Sequence, residues 1–465
     1  RLFPGDYSLK TWMIYKVILL FNRYCGQVLS FKEYKKSVYS MSEKELSFLG
    51  FTPTNLGLFS QCFDYVERLY NSILSKRSGF ITHNFYLKYF IDNLGSFNFG
   101  EYDVFLFDEA QDLNEPMAVF VKEIIKKEIP IILVGDYHQS IYGFIKSINV
   151  MNLIEEALPD RVVKKQLTKS FRFPSNSYIE NKCNVILYSR DEKIEGVAEH
   201  ENIEEYNTKA YLSRTNRKVF EKCLALIDEE ENYELIGGID SFDLSLISDI
   251  YNLIVYNKQS IKNKYIKSFN NIEELVKTIE ENKDIELASN LAIASICKTN
   301  GKTPEGMFNI IRKNIDTSSP NKVGTIHKTK GLGFDYVCLL DHSSDLFIGL
   351  EIKEESTKSI DGNTYGVFSL KDSGNIYEEI NILYVGMSRA KKFLKINCEE
   401  YKNTLTLLDN INNGEIEVLE INNSIIRGKK EKWVKILDNF IIHKRDFDFY
   451  LNKIKGIKLN NEHKN

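Results

Sequence analysis

Several features are missing or scarce in these 465 residues. The seven cysteines (Cys25, Cys62, Cys183, Cys223, Cys297, Cys338 and Cys398) are scattered and form no CxxC pair. That excludes the usual zinc spacing and a disulfide framework, and suits a reducing interior. No apolar run approaches the length needed to span a bilayer. The greasiest stretch, WMIYKVILLF at 12–21, is short, is interrupted by Lys16 and has no evident cleavage site, so it reads as a buried helix and not as an anchor or leader. Neither charge dominates: 61 basic residues face 65 acidic ones, for a net charge of −4. This neither favours nor excludes a nucleic-acid partner, because a local basic groove can sit on a neutral protein. There is no internal repeat and no low-complexity tract. Finally, GxxxxGK[ST] occurs nowhere; NGKT at 300–303 would need a glycine at 296, which is Ile296. The expected location is cytoplasmic or nucleoid-associated, with no membrane partner.

What is present is a folded chain, 43% hydrophobic and 12% aromatic, long enough for two to four domains. Residues 7 to about 95 read mostly as helix. EYDVFLFDEAQD (101–112) reads as a buried strand ending in acids, EPMAVFVKEIIKKE (115–128) as a helix with Pro116 in its first turn, and IPIILVGD (129–136) as a second apolar strand. Strand, helix, strand, with both strands apolar throughout, predicts a parallel sheet covered on both faces. A second set follows: a strand at 208–216, a helix at 217–231, a short strand at 233–238, and helix over roughly 241–318. Two strands then flank a Gly-Lys-rich turn within 321–341, and a helix leads into a strand over 375–398. The helical block looks inserted between two halves of one α/β domain. The chain opens on Arg1 and not on Met, so a preceding segment is expected.

The chemistry gathers at strand ends. VFLFDEAQDLN (104–114) drives four apolar residues into Asp108 and Glu109. Adjacent acids at the end of a buried strand suit metal binding by Asp108 and proton abstraction from water by Glu109, the two tasks of nucleoside-triphosphate hydrolysis. A solvated loop at a sheet edge is the plainer alternative. VGDYHQSIYGF (134–144) places Gln139 at the end of the neighbouring strand, suited to sensing a γ-phosphate, with Tyr142 and Phe144 available either to stack bases or to pack in a core. KSFRFP carries Arg172 and LYVGMSRAKK carries Arg389, cations of the type that balance transition-state charge. Within GTIHKTKGLGFDYVCLLD (324–341), Thr325, His327, Lys328 and Lys330 surround a glycine turn at Gly331, a set of groups that reads phosphate backbones. His327 is equally a structural imidazole. Arg427 to Lys458 form a basic stretch that reads as a solvated helical face or a surface for duplex or partner.

In order, DEAQD, VGDYHQSIYGF, KSFRFP, YLSRTN, TIHKTKGLGFD and LYVGMSRAKK resemble motifs II, III, IV, IVa, V and VI of the UvrD/Rep-type superfamily 1 DNA helicases. YELIGGIDSFDLSLISDIYNLI (233–254) and the wording of the third motif bring it nearest to the F-box DNA helicase branch, although no F-box segment is visible. The resemblance implies an α/β fold of two RecA-like P-loop NTPase motor domains with helical insertions. The first domain would be incomplete at its N-terminus and occupy 1–165; the second would occupy 166–400 with an insertion at about 255–318; a basic extension would fill 401–465. It implies ATP and Mg²⁺ as cofactors, single-stranded DNA and single/double-strand junctions as partners, and 3′-to-5′ translocation. By position, Asp108 would hold Mg²⁺, Glu109 would be the general base, and Gln139 would couple the γ-phosphate to DNA. Arg172 and Arg389 would contact the γ-phosphate from either side of the cleft, with Gly331 also at the nucleotide. Tyr142, Phe144, Arg214, Thr325, His327 and Lys328 would line the DNA track.

Three departures stand out. Ile145-Lys146-Ser147 replaces the usual Arg-Gly-Ala, and Gly333 replaces the acid that the family places near the ribose. The third is the absent phosphate loop, expected upstream of Arg1 or on a separate polypeptide. The favoured reading is an ATP-driven DNA motor lacking that loop, in which these residues alone hydrolyse ATP hardly at all. The alternative is a non-catalytic DNA-binding or scaffolding subunit of helicase-like architecture. DNA repair, recombination control and defence are all compatible settings.

Overall fold

In the computed structural model, the described residues are 11–41, 56–75, 81–141, 150–188, 192–200, 205–282, 284–341, 351–360, 363–371, 376–412 and 440–443. They divide into two compact units, Arg1–Val162 and Val163–Asn465.

The first unit starts with helices α1 (Thr11–Cys25), α2 (Phe31–Tyr39), α3 (Leu56–Leu74) and α4 (His83–Asp92). Their packed faces are rich in aromatics: Phe21, Tyr34, Phe63 and Phe85 are buried in one cluster. Within the stretch that could have been taken for an anchor, Val17, Leu20 and Phe21 belong to the core, at most 1% exposed. No helix among the described residues is long and apolar enough to cross a membrane.

Strand β1 (Phe105–Phe107), helix α5 (Glu115–Lys126) and strand β2 (Ile131–Leu133) follow, then α6 (Val150–Ala157). Asn114 starts α5 by accepting a hydrogen bond from the Met117 amide at 3.1 Å, and Pro116 sits in the first turn. The strands pair in parallel, Phe105 opposite Ile131 and Phe107 opposite Leu133. Among the described residues of this unit, cover is found on one face only. Phe107 and its neighbours on one face pack into a small core with Val121 and Ile124. On the other face Leu106 is 69% and Ile132 52% exposed. Because strand side chains alternate, an unbroken apolar run buries only half its residues unless a second layer is present.

The second unit contains β3 (Lys169–Ser170), α7 (Tyr178–Tyr188), β4 (Glu195–Gly196), β5 (Lys209–Ser213), α8 (Asn216–Asp228) and β6 (Glu234–Leu235). Helices α9 (Leu244–Ile254), α10 (Lys264–Ser268), α11 (Ile272–Asn282), α12 (Ile285–Thr299) and α13 (Pro304–Lys313) form the inserted block. Then come β7 (Asn321–Thr325), β8 (Phe334–Leu339), β9 (Glu351–Ile360), β10 (Asn363–Lys371), α14 (Ile376–Met387), β11 (Ala390–Ile396), α15 (Glu399–Asn412) and β12 (Phe440–His443). Five parallel strands make the main sheet, in the order β11-β8-β5-β7-β6. The inserted helices pack onto α8 and this sheet through Phe220, Phe242 and Phe308, whose rings meet at 5.2–6.1 Å. NGKT is a turn between two helices: Asn300 ends α12, Gly301 takes φ +62°, and Thr303 caps α13 by accepting from the Gly306 amide at 3.2 Å. Strands β9 and β10 form an antiparallel hairpin edged by β12, which the sequence reading did not anticipate. Tyr142, Phe144, Lys146 and the basic stretch at 427–458 apart from the 440–443 backbone lie outside the described residues.

Candidate active site in two units

In the first unit, β1 delivers Asp108 and Glu109 to its carboxyl end, and both are exposed. Glu109 adopts φ +52°, the left-handed region, which costs a residue with a Cβ about 1 kcal/mol. Such strain is characteristic of functional turns. The turn is held from three directions. The Ala110 amide donates to the Val134 carbonyl at 2.9 Å, and the Glu109 amide donates to Oδ1 of Asp108 at 2.9 Å. Gln111, only 2% exposed, donates from Nε2 to the Glu109 carboxylate and accepts at Oε1 from the Asp136 amide at 3.0 Å. Asp136 in turn accepts from the His138 amide at 2.9 Å and from Nε2 of Gln139 at 2.8 Å.

A continuous hydrogen-bonded chain thus runs Glu109–Gln111–Asp136–Gln139 across the ends of two parallel strands. Gly135 makes it possible: a Cβ there would lie 2.5 Å from Oε1 of Gln111 and 3.1 Å from the Ala110 nitrogen. Gln111 and Asp136 were given no role in the sequence analysis. The available signal was weak, a neutral amide between Ala110 and Asp112 at the end of an apolar strand, where a buried polar group needs partners. Asp108 and Glu109 offer hard oxygens on the surface and no closed cage. That fits Mg²⁺, which keeps waters and takes one or two carboxylates together with substrate phosphates.

In the second unit, the predicted residues fall at opposite ends of the five-stranded sheet. Arg172 and Arg389 meet where β8 and β11 begin. Nη1 of Arg172 donates to the Ser388 carbonyl at 2.7 Å. Arg172 is half-buried, and burial lowers its pKa from the ordinary guanidinium value. Its neighbours split the task of placing it: Phe173 is 1% exposed and anchors the loop, whereas Phe171 is 83% exposed. Arg389 is 1% exposed. It donates from Nε to the Val385 carbonyl at 3.0 Å, from Nη1 to the Leu332 carbonyl at 3.3 Å, and from Nη2 to Oγ of Ser388 at 3.0 Å. Both arginines belong to the second unit. Arg389 also faces inward, tying the turn at Leu332 to the end of α14, because five N–H donors in a rigid fork suit several carbonyls at once.

At the other end, Arg214 follows β5 and Thr325 closes β7. Arg214 grips Glu379 with Nε at 2.9 and 3.1 Å and Nη2 at 2.9 Å from its carboxylate oxygens. Thr325 is buried, at 8% exposure. In this arrangement Arg214 is ion-paired and Thr325 is buried. His327 is half-buried. Lys328 is different: the residue is exposed, and its side chain from Cδ to Nζ lies over Gly237, where a Cβ would be 2.7 Å from Cδ and 3.1 Å from Nζ. Partial burial lowers the Lys328 pKa. Gly331 has φ +83°, turning the chain from the β7 end back toward β8.

Comparison with known proteins places these motifs. Residues 105–401, more than half of the chain, match the UvrD-like helicase C-terminal domain. The chain is 27% identical over 313 residues to F-box DNA helicase 1 of Gallus gallus, covering 63% of this chain and 29% of that protein. It is 28% identical over 328 residues to F-box DNA helicase protein 1 of Schizosaccharomyces pombe, covering 64% of this chain and 34% of that protein. The chain therefore spans about a third of the length of these relatives. On the extent of the domain match, the chain belongs to the UvrD-like helicase family, with its similarity to F-box DNA helicases lying inside that group.

Proposed function

We propose that this chain forms part of an ATP-driven DNA helicase that moves 3′ to 5′ on single-stranded DNA and opens single/double-strand junctions. Its phosphate loop would come from a segment outside these 465 residues, in the same chain or on a partner. The observation that carries the reading is the chain from Glu109 through Gln111 and Asp136 to Gln139.

That chain gives each group a task. Glu109, exposed and oriented by Gln111, takes the proton of an attacking water. Gln139, oriented by Asp136, reports the state of the terminal phosphate to the neighbouring loop. Asp108 would hold Mg²⁺, which when bound neutralises phosphate charge. Arg172 supplies a cation whose solvation is already reduced, and which therefore favours an anion more than a solvated arginine would. Arg389 keeps the Leu332 turn and Ser388 in place, so that Arg172 has a fixed seat. Lys328 is the described cation best placed to meet a DNA phosphate.

Gly333 and the inward Arg389 favour a second reading, a non-catalytic DNA-binding subunit. The two separate in an ATPase assay with and without single-stranded DNA, on the chain supplied with a phosphate loop. The motor reading expects DNA-stimulated turnover that Glu109→Gln abolishes while ATP binding persists. Background turnover under every condition would leave the subunit.

A further inference from the structure

Gly333, the last residue before β8, stands at a meeting of cations. A Cβ built on it would lie 3.2 Å from Cε of Lys391, 3.4 Å from Nε of Arg172 and 3.7 Å from the carbonyl oxygen of Arg389. Lys391 comes from the second position of β11, and Arg172 from the loop after β3. Two positive side chains from separate elements therefore converge on a residue that has no side chain.

The backbone does not demand glycine there. Gly331, two residues earlier, needs its positive φ, but Gly333 is outside the left-handed region. What glycine provides at 333 is space. Among the described residues no carboxylate pairs with Arg172 or with Lys391. Arg172 makes a single side-chain hydrogen bond, to the Ser388 carbonyl, and no carboxylate is among the groups that act on it electrostatically. Gathering two cations and withholding the acid is unfavourable for the protein alone, and becomes favourable when an anion enters.

We propose that Gly333, Arg172 and Lys391 form an anion-binding notch, with Lys391 as a further cation for the terminal phosphate of a bound triphosphate. The identity of the anion rests on the function proposed above; the notch itself does not. A carboxylate at 333 would lie between the two cations and close the notch from within, whereas a methyl group would meet only flexible side-chain ends at 3.2–3.4 Å.

The test uses the 465-residue chain and inorganic tripolyphosphate, followed by ³¹P line broadening and titration calorimetry. Lys391→Gln is expected to weaken binding about ten-fold, the scale of one charge-assisted contact. Gly333→Glu should weaken it at least as much, and Gly333→Ala much less, with unchanged thermal unfolding of the Lys391 variant. Equal binding by the original chain, Lys391→Gln and Gly333→Glu would overturn the proposal, as would failure of the original chain to bind at millimolar tripolyphosphate. The function reading fails separately: selective tripolyphosphate binding without ATP turnover in the loop-supplied protein keeps the notch and removes the motor. Turnover with binding indifferent to positions 333 and 391 does the reverse.

Discussion

Replacing Gln111 with Met keeps the length of the side chain and removes both of its polar atoms. Two hydrogen bonds are lost, one to the Glu109 carboxylate and one from the Asp136 amide. Their consequences differ. Glu109 is exposed, so water replaces most of what it loses. The Asp136 amide sits on a half-buried turn beneath Gly135, and an orphaned donor there costs about 1–3 kcal/mol. A total near 2 kcal/mol corresponds to roughly a 30-fold easier opening of the turn, since about 1.4 kcal/mol is ten-fold. Hydrogen exchange reads this locally: the Ala110, Asp136 and His138 amides, each bonded within this network, should exchange roughly 30-fold faster. Amides of α1 and α3, in a separate core, should be unaffected. In the loop-supplied protein, turnover should fall while ATP affinity holds, because only the orientation of Glu109 and Gln139 is disturbed. Unchanged exchange at Asp136 would refute the reasoning, since it would mean that Gln111 does not hold the two strand ends together.

Other variants test separate parts. Arg389→Lys keeps the charge but cannot serve Val385, Leu332 and Ser388 together, so the second unit should lose about 2 kcal/mol in denaturant unfolding; a purely catalytic arginine would leave stability unchanged. Gly237→Ala sets a Cβ into a residue with φ +84° and against Lys328, and should reduce single-strand affinity and flatten its salt dependence as Lys328→Gln does, by a slope of about 0.7, in fluorescence anisotropy. Burial, aided by Asp341 and Glu399, raises the Glu400 pKa in the folded state. The folded protein therefore binds more protons than the unfolded chain above the ordinary carboxylate range, so this group's contribution is fully present at acid pH and is lost as pH rises through the folded pKa. Stability measured from pH 4 to pH 7 should fall less steeply in Glu400→Gln.

What was legible in the sequence was what short-range pattern controls. The apolar runs before Asp108 and Gly135 marked strands, Pro116 marked a helix start, and roughly 241–318 read as the inserted helices. The acids and Gln139 sit at strand ends, where the pattern put them. What was not legible depends on distant partners. Arg214 is claimed by Glu379, 165 positions away, and Arg389 turns inward because Leu332 and Ser388 converge there. The exposed face of β1 and β2 could not be read either, because an apolar strand looks the same with one covering layer or two. The hairpin of β9 and β10 was missed because EIKEESTKSI has only two aliphatic residues in ten; Asp361-Gly362 between the strands was the usable signal.

The central claim is that Glu109, oriented by Gln111, serves as the general base for hydrolysis of a triphosphate. The most direct measurement is a crystal structure of the loop-supplied protein with Mg²⁺ and a non-hydrolysable ATP analogue. The account predicts the terminal phosphate one water molecule away from Glu109, with that water about 3 Å from the carboxylate. A terminal phosphate bound remote from Glu109, with no water between them, would contradict the account.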